Sequence, residues 1–264
     1  MPSVSNIAVG AAMAGAAATK ARHQMNESIA RLSTGIRSMY GGDAAGQSVA
    51  NSLGAKAASF AVAARNAEDG ISFLQSAESL LLELAALTTR LRELGIQYAN
   101  NALLTTTDEA ALNAEAKAIG SAIASIATNT NFNGTQMIGN ATAISIGIND
   151  AGSTATIGTA QSIAVANTSA LTGANGVDSS ADTALGEIAQ SLGNVAAGMT
   201  ALKGYQASAS SASANLAAAA ARIQDTDFAL ETASLTKAAI LNQSAMAMVA
   251  QANQAQQAIL TVIQ

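Results

Sequence analysis

The residues that could carry acid–base or metal chemistry are few and lack their usual companions. His23 is the one histidine and there is no cysteine, so the ligand sets of common zinc sites cannot be assembled. A Ser-His-Asp triad would have to use His23, which lies in a polar, Ala-rich amphipathic segment. Asp225 and Asp227 are two residues apart and would point to different sides of a helix, and the turn at Asp150 has too few ligands for calcium. The sequence therefore predicts no catalytic residue, no metal site and no cofactor.

Alanine makes up a quarter of the chain, 66 of 264 residues, and Pro2 is the one proline. Because alanine is the best helix former and proline the worst, this composition favours long uninterrupted helices. Alanine also buries little apolar area, which stabilises by only about 25 cal/mol per Å². Charged residues make up 11% of the chain, against about 25% in ordinary soluble domains. The composition argues against a compact, enzyme-like globule and indicates helices whose faces must be covered.

The two ends of the chain carry opposite charge. Residues 1–42 contain four basic residues and one acidic residue, whereas residues 224–264 contain one basic and three acidic residues. This difference favours pairing of the ends. No basic stripe with interleaved aromatic residues is present, so we expect no nucleic-acid partner. Residues 1–19 lack the basic start of a signal peptide, and residues 238–264 are too rich in Asn and Gln for a lipid-facing helix, so we expect neither a cleaved leader nor membrane insertion.

Alternating spacings of three and four residues predict one narrow stripe on each terminal helix, as in a coiled-coil seam. The first stripe is Val4, Ile7, Ala11, Ala14, Ala18, Ala21, Met25, Ser28 and Leu32, and the last is Leu241, Ala245, Met248, Ala252, Ala255, Ile259 and Val262. We predict that both are self-assembly seams, with Val4, Ile7, Met25, Leu32, Leu241, Met248, Ile259 and Val262 as their principal members. Neither helix should be firm alone, because isolated helices are marginal without a packed face.

The middle of the chain carries stronger apolar stripes. Asp43 is expected to cap a helix that would reach about 85 Å if it ran over residues 44–100. Thr106 and Glu109 read as the capping box of a second helix that ends near Thr128. The three stripes are Leu53, Ala57, Phe60, Ala64, Ala67, Ile71, Leu74, Ala77, Leu81, Leu84, Thr88, Leu91, Gly95 and Tyr98; Leu112, Ala116, Ile119, Ile123 and Ile126; and Leu185, Ile188, Leu192, Val195, Met199 and Leu202.

Between these helices the apolar period changes to two. Ile144, Ile146 and Ile148 alternate with small or polar residues, and Ala155 and Ile157 do so after a turn, which predicts a hairpin. A further short strand is expected near 163–165, giving a small β element over about 131–170. Residues 167–182 are mostly Ser, Thr, Asn, Gly and Asp and predict an outer loop, after which helical spacing returns.

Several motifs together resemble bacterial flagellin. In the N-terminal half they are Arg31-Leu32-Ser33-Thr34-Gly35-Ile36-Arg37, Asp43-Ala44-Ala45-Gly46, Arg65-Asn66-Ala67-Glu68-Asp69-Gly70-Ile71-Ser72 and Thr130-Asn131-Phe132-Asn133-Gly134. In the C-terminal part they are Arg222-Ile223-Gln224-Asp225-Thr226-Asp227 and Ala250-Gln251-Ala252-Asn253-Gln254. The order and spacing match the family over roughly residues 25–165 and 185–263. The chain departs from it at Tyr40-Gly41-Gly42, where the family usually has Ala-Lys-Asp.

The resemblance implies a mainly α fold: a long-helix coiled-coil bundle with paired N- and C-terminal helices and a small antiparallel β-hairpin region. An inner terminal domain would comprise residues 1–42 and 224–264, and a rod domain residues 43–223. The chain resembles a minimal member without large outer domains. The implied function is a non-enzymatic subunit that self-assembles into the extracellular filament used for motility. The implied partners are further copies of the chain, junction and cap proteins, the export apparatus and an export chaperone.

Two other functions stay open at this point. A hook–filament junction protein would share the terminal pattern, and a membrane-active amphipathic secreted protein would use a helix face, although the Ala-rich seams argue against it. The resemblance also implies a patch for the innate immune receptor that senses flagellin, at Arg90, Leu94 and Gln97. The alternative for these three residues is an ordinary helix surface used in filament contacts.

Overall fold

The computed structural model describes residues 2–37, 43–138, 144–157 and 176–263, and for residues 2–8, 101, 259, 260, 262 and 263 it describes the backbone alone. The elements in these ranges are α1 (Pro2–Thr34), α2 (Ala44–Tyr98), a short 3-10 helix (Asn101–Leu103), α3 (Thr106–Asn129), strands β1 (Asn131–Phe132), β2 (Thr135–Gln136), β3 (Ile144–Gly147) and β4 (Thr154–Ile157), then α4 (Val177–Gln224) and α5 (Phe228–Ile263). The predicted mainly α fold with paired terminal helices and a small antiparallel sheet is confirmed.

The chain forms two compact units. One unit is Met1–Ala55 together with Leu216–Gln264, and the other is Lys56–Asn215. Both boundaries between these units lie inside the long helices α2 and α4. A continuous helix carries the chain from one unit into the other at each boundary.

The unit Lys56–Asn215 is built around a leucine- and isoleucine-rich core. Residues from α2, α3 and α4 form one cluster, in which Leu81, Leu84, Leu91, Leu94 and Val195 are completely buried. The three stripes predicted for these helices are buried or half-buried along their described length, and this confirms them. The helix α2 is long and apolar enough to cross a membrane by length and composition alone. Within this unit, however, the apolar stripe of α2 is packed into the core.

Two antiparallel hairpins complete the unit. In the first, β1 pairs with β2 through a turn in which Asn133 and Gly134 both have positive φ. In the second, β3 pairs with β4, so that Ile144 lies opposite Ile157 and Ile146 lies opposite Ala155. The second hairpin confirms the prediction made from the period-two pattern, and the first lies at the start of the β element predicted over about 131–170. The strand expected near residues 163–165 lies outside the described residues.

Two boundaries were wrong. The N-cap of α3 is Thr105, not Thr106, and its capping-box partner is Asp108, not Glu109. The sequence Thr105-Thr106-Thr107 offers three equivalent hydroxyls, so the composition could not select the cap. The loop expected over 167–182 ends earlier, because α4 begins at Val177 and Val177 and Ala181 are buried. The cap predicted at Asp43 is confirmed, since its Oδ1 accepts a hydrogen bond from the Gly46 N–H at 2.8 Å.

Gly95 is required where α2 passes the start of α4. A Cβ atom at Gly95 would lie 2.7 Å from the backbone nitrogen of Asp178. Because the obstruction is backbone, we expect Gly95→Ala to destabilise the protein by about 1–3 kcal/mol, even though alanine is the better helix former. Gly193→Ala in α4, where a Cβ would meet nothing within 4 Å, is the matched control and should be neutral or stabilising. Urea unfolding followed by circular dichroism measures both. Equal stability of the two variants would contradict this close approach.

The capping box of α3 makes its first turn sensitive to acid. The Thr105 hydroxyl, and then its backbone N–H, donate hydrogen bonds to the Asp108 carboxylate at 2.7 and 3.0 Å and lower the pKa of Asp108 below the ordinary 3.8. Since the pKa is lowered by folding, the stabilisation is complete above the unfolded value and is lost as pH falls through the lower folded value. We expect carboxyl titration by NMR to place the midpoint of Asp108 below 3.8. In Thr105→Val, which keeps the N–H donor, the midpoint should rise; an unchanged midpoint would exclude the hydroxyl as the cause.

Candidate assembly surface

The helices α1 and α5 pair in antiparallel orientation through a seam of small residues. On α1, Ala18, Ala21 and Ser28 are buried, and on α5, Ala238 and Ala245 are buried. The α1 stripe predicted from the sequence is buried or half-buried at every described position from Ala11 to Leu32, Met25 included. The stripe on this helix is therefore confirmed as the face that meets α5. Each of these contacts is weak, because an alanine methyl removes little area from water.

The seam on α5 differs from the predicted stripe. Leu241 and Met248 are 47% and 60% exposed, so they are not part of the contact with α1. The half-buried residues at that level are Asn242 and Val249, each one position further along the chain. Leu241 and Met248 thus lie outside the buried line of the α1–α5 pair, and their role as self-assembly residues stays a prediction. Whether they contact another copy of the chain is a separate question. The side chains of Val4, Ile7, Ile259 and Val262 lie outside those described.

Leu241 and Met248 instead form one wall of a groove that follows the α1–α5 pair. The groove has a volume of about 470 Å³ and is lined by Ala14, Ala17, Lys20, Ala21, Gln24, Lys237, Leu241, Ser244, Ala245 and Met248. Its two charged residues, Lys20 and Lys237, are both basic. We call the groove, together with Leu230 on the same side of α5, the α5 apolar face. Residues 230, 241 and 248 lie within about 20° of one another on a helix with 3.6 residues per turn.

Large apolar side chains remain exposed over much of this unit. On α5, Leu230 is 68% exposed and Ile240 is 57% exposed, and on α1, Met13 is 70% exposed. The other large exposed apolar residues of the unit are Val9, Ile29, Val49, Phe228, Leu241, Met246 and Met248. A seam of alanines with leucines and methionines outside it is the reverse of an ordinary two-helix core. Apolar surface of this extent marks an interaction site.

At one end of the pair, the segments that follow α1 and α4 cross each other. Residues Ile36 and Asp225 form an antiparallel bridge. The Arg37 N–H donates to the Gln224 carbonyl at 2.8 Å, and the Thr226 N–H donates to the Gly35 carbonyl at 2.9 Å. We call these residues, Gly35–Arg37 and Gln224–Thr226, the crossing. Sequence analysis missed it, because three residues on each side are too few to give an alternating pattern.

Arg37 ties the crossing to two helix ends. Its Nη2 donates to the Ile223 carbonyl at 3.0 Å, in the last turn of α4, and to Asp43 Oδ2 at 3.2 Å. Asp43 caps α2 with its other oxygen. The guanidinium thus lies at the negative end of one helix dipole, and the carboxylate lies at the positive end of another. Three residues beyond the end of α1, a single cation therefore interacts with two helix termini.

The proposed receptor residues separate into two environments. Arg90 is exposed and forms ion pairs with Glu93 and Glu115, at 3.1 and 2.7 Å. Hydrogen bonds to Glu115 and Glu93 raise the pKa of Arg90. Gln97 is also exposed, but Leu94 is completely buried in the core. Leu94 therefore cannot contact a protein partner directly, and of these three residues Arg90 and Gln97 are exposed.

Chemistry-bearing groups do not gather elsewhere in the described residues. His23 is exposed on α1, and no three His, Asp or Glu side chains within the described ranges are placed to hold a metal ion. Asp227 caps α5, because its Oδ1 accepts hydrogen bonds from the N–H groups of Ala229 and Leu230. The neighbouring Asp225 contributes its backbone to the crossing. The surface that distinguishes this chain is apolar and extended.

Comparison with known proteins gives a consistent picture across the chain. Residues 5–143 match the model of the bacterial flagellin N-terminal helical region, and residues 177–263 match that of the bacterial flagellin C-terminal helical region. The flagellin FlaB2 of Treponema pallidum is 30% identical, with 90% of this chain and 92% of that protein aligned. A flagellin of Halalkalibacterium halodurans is 32% identical over 91% and 92% of the two chains. A flagellin of Bacillus subtilis is 29% identical over 88% and 90%.

Proposed function

This chain belongs to the bacterial flagellin family, and we propose from that premise that its copies join through the α5 apolar face. The protein is a structural subunit of the flagellar filament, which lies outside the cell and serves motility. Its relatives are named as flagellins and filament core proteins, so the junction-protein alternative is not favoured. What the family does not specify is which side chains of this chain the neighbours cover.

The exposure of Leu241 and Met248 carries the proposal. These two are larger than the residues that α5 buries against α1 at the same level, and yet they face outward. Burying an exposed leucine or methionine stabilises by about 1.5–3 kcal/mol, several times more than an alanine contact. A neighbouring chain that covers this face therefore gains more free energy per buried residue than α1 gains at its alanine contacts. The same reasoning makes the contact between copies stronger than the contact within one copy.

The geometry of such a contact favours a filament. The α5 apolar face lies on one side of the pair, and a second copy presents other exposed apolar residues, such as Val9 and Met13 of α1. Contacts between unlike surfaces do not close on themselves and so repeat as an open helical polymer. Junction and cap proteins would meet the same surfaces at the ends of the polymer.

We expect Leu241→Asp to prevent assembly without unfolding the monomer. The substitution removes a leucine from the α5 apolar face and would place a charge in the contact, and it leaves the α1 seam unchanged. The critical concentration for seeded polymerisation should rise by at least about tenfold, or filaments should be absent by electron microscopy. Gln243→Asp is the matched control, because it adds the same charge to an exposed position of the same helix without loss of an apolar side chain. Filaments formed equally well by both variants would show that Leu241 is not covered.

The terminal helices α1 and α5, which we call the arms, should become more ordered when copies assemble. Ordering a backbone costs about 1–2 kcal/mol per residue, and the alanine seam offsets little of this cost. We infer that α1 and α5 open often in the monomer and are held closed by neighbours in the polymer. Limited proteolysis should therefore cleave both arms of the monomer before Lys56–Asn215, and should spare them in filaments. Equal protection of the arms in the two states would contradict this inference.

The remaining partners follow from the same exposed arms. An export apparatus and an export chaperone would have to hold the chain before assembly, and an α5 apolar face left uncovered is the surface they would need to shield. Recognition by the innate immune receptor would rest on Arg90 and Gln97, since Leu94 is buried. The Arg90 guanidinium donates hydrogen bonds to Glu93 and Glu115, so a receptor would compete with these two carboxylates.

A further inference from the structure

The α1–α5 seam does not fix its own register. The Arg31–Glu231 contact shows that the two helices are antiparallel, and counting along both from it brings Ala18 to the level of Ser244 and Ala245, of which Ala245 is buried. A slip of one heptad would place Ala18 opposite Ala238 or Ala252, so that an alanine again meets an alanine. The buried alanines themselves therefore distinguish poorly between these alignments, and it is larger half-buried residues, such as Met25 and Val249, that would change partners. A seam of this kind allows several alignments of similar free energy.

The polar residues along the seam are poor at selecting one alignment. Asn242 is half-buried, but its buried Oδ1 accepts no hydrogen bond, so this asparagine has no fixed partner on α1. Arg31 Nη1 lies 3.7 Å from Glu231 Oε1, which is beyond hydrogen-bond distance. The charges of Arg31 and Glu231 attract each other over several ångströms, so this pair tolerates a small displacement of one helix along the other. Arg31 and Glu231 thus favour one alignment only loosely, and closer definition of the register must come from contacts outside the seam.

The crossing sets directional contacts that a slip would break. Its two backbone hydrogen bonds, of 2.8 and 2.9 Å, flank the Ile36–Asp225 bridge in an antiparallel arrangement. This pairing has the same register as the Arg31–Glu231 contact, because the chain continues from Gly35 into α1 and from Thr226 into α5 with few intervening residues. A slip of one heptad would separate every pair of atoms in the crossing.

Arg37 holds the crossing against such a slip. We propose that Arg37 is a positioning residue that sets the register of the α1–α5 pair by fastening the crossing to the end of α4 and the cap of α2. The Ile223 carbonyl is fixed by α4, and Asp43 is fixed by its hydrogen bond to Gly46. The guanidinium joins these two anchors, and the Arg37 N–H, on the same residue, holds the Gln224 carbonyl. Pairing then extends from the crossing towards the two chain termini.

Register matters for assembly because it determines which surface the pair presents. A slip of one heptad moves α5 by about 10 Å along α1, at 1.5 Å per residue. Leu241 and Met248 would then lie beside different residues of α1, and the groove along them would be interrupted. A neighbouring copy would meet a different face at each step. This consequence rests on the proposed function, whereas the register itself is a property of the single chain.

Engineered cysteine pairs measure the register directly, because the chain has no cysteine of its own. One variant carries Ala18→Cys with Ala245→Cys, which face each other in the observed register. A second carries Ala18→Cys with Ala252→Cys, which meet only after a slip of one heptad. Both are studied as full-length unassembled protein under mild oxidation, and the ratio of their crosslinking rates is the readout. Circular dichroism confirms that each variant retains its helices.

In the parent background we expect the first pair to crosslink much faster than the second. Arg37→Ala should lower the ratio by roughly three- to tenfold, which corresponds to the loss of an exposed ion pair and a helix-end contact. Adding Thr226→Pro, which removes the N–H donated to Gly35, should lower it further. Arg37→Lys should restore part of the ratio, because an ammonium can also donate to a carbonyl and a carboxylate. Arg92→Ala, which breaks an exposed ion pair in Lys56–Asn215, should change nothing.

Salt supplies a readout that a merely structural role would not affect. The Arg37 and Asp43 side chains are 52% and 39% exposed, so about 1 M salt should screen their attraction and lower the ratio in the parent background. In Arg37→Ala the same salt should have little effect. A ratio that stays unchanged in Arg37→Ala and in the double variant would overturn the proposal, and so would an absence of crosslinks at both pairs. Since no filament is needed, either result is independent of whether Leu241 is an assembly contact.

Discussion

The rest of this structure depends on a weak contact, the alanine seam between the two ends of the chain. Ala18, Ala21, Ala238 and Ala245 are buried there, and small side chains let two helices approach closely but remove little apolar area from water. A single chain can therefore form the α1–α5 pair, but the pair is only weakly stabilised. Stability must come from surfaces that lie outside the pair, and the large apolar residues of the unit face outward, where a neighbour can reach them. Weak pairing within one chain and exposed apolar residues that a neighbour could cover are two consequences of one choice of residues.

The unit Lys56–Asn215 differs from the terminal pair, because its core consists of large apolar residues. Its helices bury Leu74, Leu81, Leu91, Ile123 and Leu202 in one cluster, and each such side chain stabilises by about 1.5–3 kcal/mol on burial. The close passage of Gly95 at Asp178 and the capping box at Thr105 and Asp108 define where the helices begin and how closely they pack. A core of this type is complete within one chain. It gives the subunit a fixed body to which the weaker ends are attached through continuous helices.

The sequence predicted the fold where apolar residues are large and regularly spaced. The stripes of α2, α3 and α4 and the hairpin of Ile144 and Ile157 were read correctly, because leucine and isoleucine dominate burial and their period distinguishes helix from strand. The α1 stripe was also correct, although Met13 and Ile29, which are larger than their stripe neighbours Ala14 and Ser28, lie beside it and are exposed. Cap and loop boundaries shifted by one to several residues, because runs of Thr and Ser offer equivalent alternatives.

The phase of the α5 stripe could not be predicted in this way. Two sets of residues with the same spacing compete on α5: Leu235, Asn242 and Val249 on one line, and Ser234, Leu241 and Met248 on the next. Hydrophobicity favours the second line, and the structure buries the first. Burial against α1 is not decided by α5 alone, because Glu231, which lies seven residues before Ala238, is held at the seam beside Arg31.

The side chains at the crossing therefore decide what the apolar pattern leaves open. Hydrophobic burial is non-directional, so it can pair two alanine stripes in several alignments and rotations with little change in free energy. Hydrogen bonds are directional and fail over a displacement of an ångström or two. Placing a few of them at one end of a long, featureless seam, around Arg37, Asp43 and the Ile223 carbonyl, lets the chain specify one alignment without making the seam itself stronger. The pair can then stay loose enough to open in the single chain and still present one face to its neighbours.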